Sequence, residues 1–349
     1  MSVPCRAVEM IEDVQRDPED LAAWGLHCYC PSAKRTPHRL VAEPGNGTAL
    51  YAAREGSSRE GLGITDAQLA SLVEFQLLEW DEDDRLRTAF PVVGSVELTA
   101  LRAHLRDLAR PLVDAIEPPV RMIGAELDRR GLGVAGYALV FGYALDLVLW
   151  EPLTRAGAVP DTALTAERPW WNGAFWAIYP PREGSAGTNF LDCGNGITLV
   201  MVWSDETAAA LRAFASIPGI REALRGLPQP RVDRKGADRS ATGRRCRLRQ
   251  PDGLPAPPIV GTGGALDDLA HQVAEPVAAL LLGDATDTAR NFVPTDNRAV
   301  ATVVVAHELI WEVMEQLIAR RACRLPPAKA DVVGRMFLLA GDRHAAAES

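Results

Sequence analysis

Residues Gly63 to Val93 read G-I-T-D-A-Q-L-A-S-L-V-E-F-Q-L-L-E-W-D-E-D-D-R-L-R-T-A-F-P-V-V. Thr65-Asp66-Ala67-Gln68 has the order of a capping box, in which a hydroxyl and an amide side chain satisfy orphan backbone donors at a helix start. Leu69, Leu72, Val73 and Leu77 follow at helical spacing. Asp81 to Asp84 is polar and turn-prone, and the chain returns through Arg85 to Val92. Pro91 has no N–H to give to a ladder, which puts the returning strand at a sheet edge. The stretch therefore reads as one capped helix followed at once by a tight hairpin.

Upstream, Asp17-Pro18 has the form of an N-cap followed by a first-turn proline and predicts a helix over Glu19 to Leu26. Pro31 to Asn46 reads as loop. Downstream, Ser95 opens a run of helices. Leu98 to Ile116 is amphipathic, and Pro118-Pro119 separates it from Val120 to Arg130. Leu132 to Trp150 is apolar nearly throughout, with the length a bilayer demands, but Asp146 interrupts it. A buried core helix explains the same composition, and that reading is preferred over a membrane span. The helix is expected to run to Ala156 and to end at Gly157 and Pro160. Ala174 to Tyr179, Thr188 to Asp192 and Ile197 to Trp203 read as strands, with turn chemistry in Cys193-Gly194-Asn195-Gly196 and a helix after Ser204.

The chain has 349 residues, 47% hydrophobic and 24% charged, enough for two or three domains with a packed core. Lys and Arg total 37 against 46 Asp and Glu, a net charge of −9. Such an acidic chain repels phosphate backbones unless its basic residues gather on one face. Six scattered cysteines do not form a disulfide framework, and reduced thiols imply a cytoplasmic protein. His27-Cys28-Tyr29-Cys30 with His38 matches no common zinc spacing, and the position four residues after His307 is Trp311, so no metal or other cofactor is expected.

Two regions resemble each other. D-L-A-R-P-L-V-D-A-I, with Ala109 and Pro111, matches Q-V-A-E-P-V-A-A-L-L, with Ala274 and Pro276. Leu149-Trp150-Glu151 and Ile310-Trp311-Glu312 each follow late in an apolar helix. Prolines at 160 and 326 come next, then strand-like runs at Ala174 to Tyr179 and Arg335 to Leu339. An internal duplication of a helical unit would produce this pattern.

Asp146 and His307-Glu308 sit on the two corresponding helices. Carboxylates meeting across such a repeat, with a histidine between them, suit acid/base catalysis without a cofactor. Trp170, Trp171, Phe175, Trp176 and Tyr179 fall within ten positions. On a strand Phe175 and Trp176 face opposite sides, so one of them leaves the main core. Together with Trp150 and Trp311 these rings define a candidate ligand site between the helical halves. Arg231 to Arg249 holds eight basic residues against two acidic ones and reads as a solvated linker, without aromatics for base stacking. No convincing strand precedes Val260-Gly261-Thr262-Gly263-Gly264, whose glycines only superficially match a phosphate-binding turn.

Gly63 to Val93 resembles the helix-plus-wing portion of winged-helix regulators of the multiple-antibiotic-resistance type. The resemblance covers about residues 63–93. It implies a helix that enters a DNA major groove and a wing whose Arg85 and Arg87 touch phosphates. This chain departs from that pattern, since Asp66, Glu74 and Glu79 stand in and after the helix and no basic residue does. Related winged helices bind leader peptides or mediate dimerisation, and acidity is no obstacle there.

The sequence thus predicts a mainly helical α+β protein with winged-helix-like units, an internal duplication and a small antiparallel sheet. The expected divisions are an N-terminal winged-helix-like domain (1–94), a helical unit with a small sheet (95–227), a basic linker (228–262) and a second helical unit (263–349). The leading functional expectation is a regulatory protein that binds a small molecule or a peptide. A cofactor-independent enzyme using Asp146, His307 and Glu308 is the first alternative. A DNA-binding regulator is the second, disfavoured by charge. A membrane partner is not expected, and a homodimer is compatible with every reading.

Overall fold

The computed structural model describes residues 16–184, 186–225, 257–326 and 333–340. The chain is mainly helical α+β. It opens with strand β1 (Gly25–Tyr29), short helix α1 (His38–Val41) and helix α2 (Asn46–Ala53). Helix α3 (Asp66–Glu74), hairpin strands β2 (Leu78–Trp80) and β3 (Leu86–Thr88), and strand β4 (Val92–Val93) follow. Next come helix α4 (Ser95–Arg129), a π-helical segment Ala138–Val148, helix α5 (Trp150–Arg155) and strand β5 (Ala174–Ile178). Strands β6 (Ala186–Gly194) and β7 (Ile197–Ser204) lead to helices α6 (Ala208–Ala215) and α7 (Ile220–Arg225). The last elements are β8 (Ile259–Gly261), α8 (Ala265–Leu282), α9 (Asp287–Arg290), α10 (Arg298–Ala319) and β9 (Met336–Ala340).

The capped helix and hairpin form as the sequence predicts. The Gln68 N–H donates to Thr65 Oγ1 at 3.3 Å and the Thr65 N–H donates to Gln68 Oε1 at 3.1 Å. Gln68 Nε2 also reaches Asn46 Oδ1 at 3.0 Å, which ties the starts of α2 and α3. The helix ends in a Schellman-type turn: the Leu77 N–H donates to Leu72 O at 2.9 Å, with Gln76 held at φ 54°. β2 and β3 pair antiparallel, and Ser57 bridges to Leu86 on the other side of β3.

Two further sheets flank the helices. In one, the order is β1-β5-β4, with β1 antiparallel and β4 parallel to β5. In the other, the order is β6-β7-β9-β8, with β7 antiparallel and β8 parallel to β9. Both are mixed sheets where a small antiparallel one was expected. In each, a short strand enters a long helix, the helices cross over, and the returning strand pairs parallel beside the one that left. Pro111 lies inside α4 and Pro276 inside α8.

The period-2 alternation of β5 separates two cores. Ala174, Trp176 and Ile178 join the large cluster formed with α4, the π-helical segment, α8 and α10. Phe175 and Ala177 join the cluster of the N-terminal module. Val200, Val202, Phe337 and Leu339 bring the second sheet against the same helices, so the helical layer contacts one face of each sheet. Of the residues 132–150 considered as a membrane span, those from Tyr137 onward pack in the core, with Asp146 and Leu147 half-buried, while Val134 is exposed. Among the described residues no helix is long and apolar enough to cross a membrane.

Several local expectations are corrected. Glu19 to Leu26 is not an α-helix: a single 3₁₀ turn over Leu21–Ala23 precedes β1. Asp17 does cap a helix, but a distant one, since its Oδ2 accepts from the Ser95 N–H of α4 at 3.0 Å. Pro118 and Pro119 do not break α4, which runs unbroken past all three of its prolines. Each interior proline costs about 3 kcal/mol. Leu98, Leu101, Leu105, Leu112, Val113, Ile116, Val120, Ile123 and Leu127 line its buried face, and burying one such side chain contributes about 1.5–3 kcal/mol. The burial outweighs the breaks. A strand, β8, does precede Thr262-Gly263-Gly264. The basic residues of the linker lie outside the described residues.

Gly142 marks where the π-helical segment presses on the second sheet: a Cβ there would lie 2.4 Å from Val202 Cγ2. Gly142→Ala should lower stability by about 1–3 kcal/mol through overpacking. Gly124, inside α4, has nothing within 4 Å of such a Cβ, so Gly124→Ala should raise stability by about 0.5–1 kcal/mol. Urea unfolding of the two variants checks both signs.

Candidate functional site

His307 and Glu308 are neighbours on α10, and successive helical side chains point about 100° apart. They therefore enter different surroundings. Glu308 faces α4: its Oε2 accepts from Arg102 Nε at 2.7 Å and from Arg182 Nη2 at 3.1 Å. One turn on, Glu312 accepts from Arg182 Nη2 at 2.9 Å and from Arg106 Nε at 3.2 Å. Arg182 also pairs with Glu315. The pairs 102–308 and 106–312 keep one separation, so α4 and α10 run side by side in the same direction. Burial alone would raise the Glu308 carboxyl, but Arg182 and Arg102 outweigh it and hold it below the usual range. A carboxylate so engaged is a poor general base.

His307 faces the aromatic side. Its Nδ1 lies 2.9 Å from Val303 O; a carbonyl only accepts, so Nδ1 carries the proton. Its ring packs 5.1 Å from Trp150 and 4.7 Å from Trp176. Asp146, from the π-helical segment, is close enough to act on His307 electrostatically and accepts from Trp150 Nε1 at 3.3 Å. Burial lowers His307, with Asp146 partly opposing it. Burial raises Asp146, with His307, Thr188 and Trp150 opposing. His27, on β1, stacks on Trp176 at 5.5 Å, and its Nε2 is sealed from solvent without a partner. Burial first, then the nearby His307, brings its pKa down to about 4.

The structure thus brings Asp146 beside His307 and turns Glu308 away toward two arginines, Arg102 and Arg182. The rings of this seam pack against one another, His27 stacked on Trp176 and the others tilted or edge-on. Trp150 and Trp176 are buried, and Trp311 packs 5.4 Å from Phe141 beneath the Arg182 guanidinium.

An open cleft of about 410 Å³ lies elsewhere, where the N-terminal module meets the core. Val73 and Gln76 from the end of α3, Leu78 to Trp80 of β2 and Ala89 to Pro91 form one side. Arg168, Trp171 and Gly173 to Phe175 form the floor, and Thr295, Asn297 and Val300 at the start of α10 close it. Phe90 meets Phe175 edge-on at 4.9 Å, and Trp171 Nε1 donates to Phe75 O at 2.9 Å. Gly173 has φ 120°, and a Cβ there would strike Tyr29 O, so only glycine lets β1 and this floor approach. Trp80 stands 48% exposed at the rim.

Of the aromatics singled out in the sequence, Trp171 and Phe175 line this cleft. Trp170 instead stacks on Phe75 at 6.0 Å and donates to Glu74 at 3.0 Å, and Tyr179 packs 5.5 Å from Trp24. Sequence reasoning missed Trp80, Phe90, Gln76, Glu79 and Arg168. The signal for Trp80 was an aromatic next to an acidic hairpin tip, with no core position to fill. Arg85 and Arg87 are both engaged: Arg85 donates to Glu55 O at 3.1 Å, and Arg87 Nε pairs with Asp81 at 2.6 Å. Among the described residues no three potential metal ligands converge, and the four cysteines there are free thiols. Comparison with protein-family models, curated proteins and solved structures gives no match for this chain.

Glu308→Gln should destabilise by about 3–5 kcal/mol, because it leaves buried guanidinium charge uncompensated. Asp107→Asn, in the exposed pair with Arg110 at 3.1 Å, should change stability by less than about 0.5 kcal/mol. Urea denaturation compares the two. Acid should also act through His27. Between its ordinary pKa of 6.5 and about 4 the unfolded chain takes up a proton that the folded chain refuses. Stability therefore falls as pH drops through that window. His27→Gln should flatten the slope of stability against pH there, and an unchanged slope would contradict the assignment.

Proposed function

We propose that the protein binds a small molecule or a peptide in the cleft between the N-terminal module and the helical core, in a regulatory role. The observation that carries this reading is the cleft itself, in which aromatic side chains such as Trp80, Phe90 and Trp171 are interleaved with the polar Gln76, Arg168 and Asn297, so that apolar contact and hydrogen bonding are both on offer to an occupant. Its position supports the regulatory part. Its walls come from α3 and β2 on one side and from α10 on the other, so an occupant touches both bodies and favours the arrangement that holds them together. The cleft replaces the space between the helical halves as the candidate site, because the rings there fill one another's surroundings. Winged-helix character and an internal duplication belong to the same proposal. The capped helix with its bridged hairpin supports the first. The order of strands repeated in two sheets, with a proline at matching places in α4 and α8, supports the second.

A second reading, acid/base catalysis at Asp146 and His307, draws on the opposite displacement of their pKa values in one half-buried pair. Asp146→Asn separates the two readings, since it should leave binding in the cleft intact.

The test uses the fluorescent probe 1-anilinonaphthalene-8-sulfonate with the full chain. It should bind at one site. Val73→Lys, which puts a charged chain across the cleft, and Trp80→Ala should each weaken it about tenfold. Trp311→Ala should leave it unchanged. Equal affinities across all four proteins would refute the cleft as the site.

A further inference from the structure

Arg168 is the cation in the lining of the cleft. It comes from the loop before β5 and lies beside Trp171 of the floor, with its guanidinium 5.8 Å from the indole centre. The loop is held at three points. The Arg168 N–H donates to Thr165 Oγ1 at 3.0 Å, Asn172 Nδ2 donates to Ala163 O at 2.8 Å, and Gln76 Nε2 donates to Glu167 O at 2.8 Å. Among the described residues the guanidinium gives one hydrogen bond, from Nη1 to Asn172 Oδ1 at 3.2 Å. That acceptor is a neutral amide, and no carboxylate of the described residues pairs with Arg168. The five N–H donors of a guanidinium form a planar fork that suits a carboxylate or a similar anion.

Glu79 is the carboxylate of the same lining. It is exposed and stands opposite Arg87 in the hairpin register, and by strand alternation its side chain leaves β2 on the other face from Leu78 and Trp80. Glu82, Asp83 and Asp84 at the hairpin tip are outside the lining. On the side closed by α10, Asn297 uses its Oδ1 to accept from the Ala299 and Val300 N–H groups, which leaves its amide nitrogen as a further donor. The start of this 22-residue helix also carries the positive end of its dipole. Phe90, Trp171, Phe175 and Trp80 add ring surfaces, and a volume of about 410 Å³ lies in the range of small-molecule sites.

We propose that the occupant of the cleft is a planar aromatic anion, with its rings against Trp171 and Phe90 and its anionic group on the Arg168 guanidinium. This rests on the ligand-binding reading above and commits it to a small molecule of one charge sign. Ring contact alone would accept any flat apolar compound. The guanidinium adds selectivity. It is half-buried, and an acid forms charge-assisted hydrogen bonds with it that a neutral compound of the same shape cannot form. The contacts that hold the loop limit the conformational entropy lost when the acid binds.

The probes are 1-anilinonaphthalene-8-sulfonate and N-phenyl-1-naphthylamine, the same ring system without the sulfonate, each titrated into the full chain by fluorescence. The sulfonate should bind at least about tenfold more tightly than its neutral counterpart. Arg168→Met removes the charge and keeps an apolar stem. It should weaken the sulfonate about tenfold and leave the neutral dye unchanged, which also shows that the cleft has kept its shape. 1-Naphthoate should displace the sulfonate, and its uncharged counterpart 1-naphthamide should need an at least about tenfold higher concentration. Equal loss of both dyes in Arg168→Met, or equal displacement by acid and amide, would overturn the proposal, since Arg168 would then act by packing alone. If both dyes bind equally and both depend on Trp80, the cleft is a neutral-ligand site and the anion assignment alone fails. If neither dye binds, the ligand reading itself fails. Tighter binding of the cationic 1-naphthylmethylamine than of 1-naphthoate, lost in Glu79→Gln, would give the site to the acid of β2 and also overturn it.

Discussion

The buried ladder of Glu308 and Glu312 against Arg102, Arg106 and Arg182 is the constraint to which the rest of the core answers. Charged groups taken out of water are tolerated only where they meet partners. Two acids one turn apart on α10 face two arginines one turn apart on α4, and a slip of one helical turn would strand a buried charge on each side. Apolar residues would hold the helices together at least as well, so the ladder matters for register more than for added stability. Arg182 extends the same constraint to the first sheet. It follows β5 in the chain and bonds both acids, which fixes where that strand ends relative to the helices.

Once the register is set, the position before Glu308 has to face the other way. His307 thus meets Trp150, Trp176 and Asp146, and two consecutive residues of one helix occupy opposite electrostatic regimes. On the ladder side, opposite charges stabilise each other as ions. On the aromatic side, burial dominates, and it moves Asp146 up and His307 down, toward neutral forms of both. The π-helical segment makes this side possible. It carries Asp146, half-buried beside Trp150, while Gly142 lets the backbone lie against Val202.

What was legible in the sequence was local. The capping box at Thr65 and Gln68 depends on residues three apart, and the turn at Asn195-Gly196 depends on two residues with positive φ, 56° and 69°. The opposite facing of Phe175 and Trp176 needs only the pleat of a strand. What was not legible depended on partners far along the chain. Asp17 has the right chemistry for a cap, but its helix begins at Ser95. Pro118-Pro119 carries a local penalty that only the packed face of α4 overcomes. β1 and β8 are short runs whose strand character comes from the neighbours that complete their ladders, β5 and β9. Glu308 beside His307 looked like a catalytic neighbour because sequence gives no sight of Arg102, 206 residues away.

The same distinction explains why the candidate site moved. Aromatic residues close together in sequence suggest a pocket, yet rings that meet in a core mostly fill each other's surroundings, as Trp150 and Trp176 do around His307. A cleft arises instead where two hydrophobic clusters adjoin and neither fills the gap between them. Here the module's own core holds Phe175, and the helical core holds Trp176, one residue on. β5 is thus the wall both bodies share, and the cleft opens beside it, between the hairpin and the first turn of α10. A ligand there would act on the joint between module and core without disturbing the interior of either.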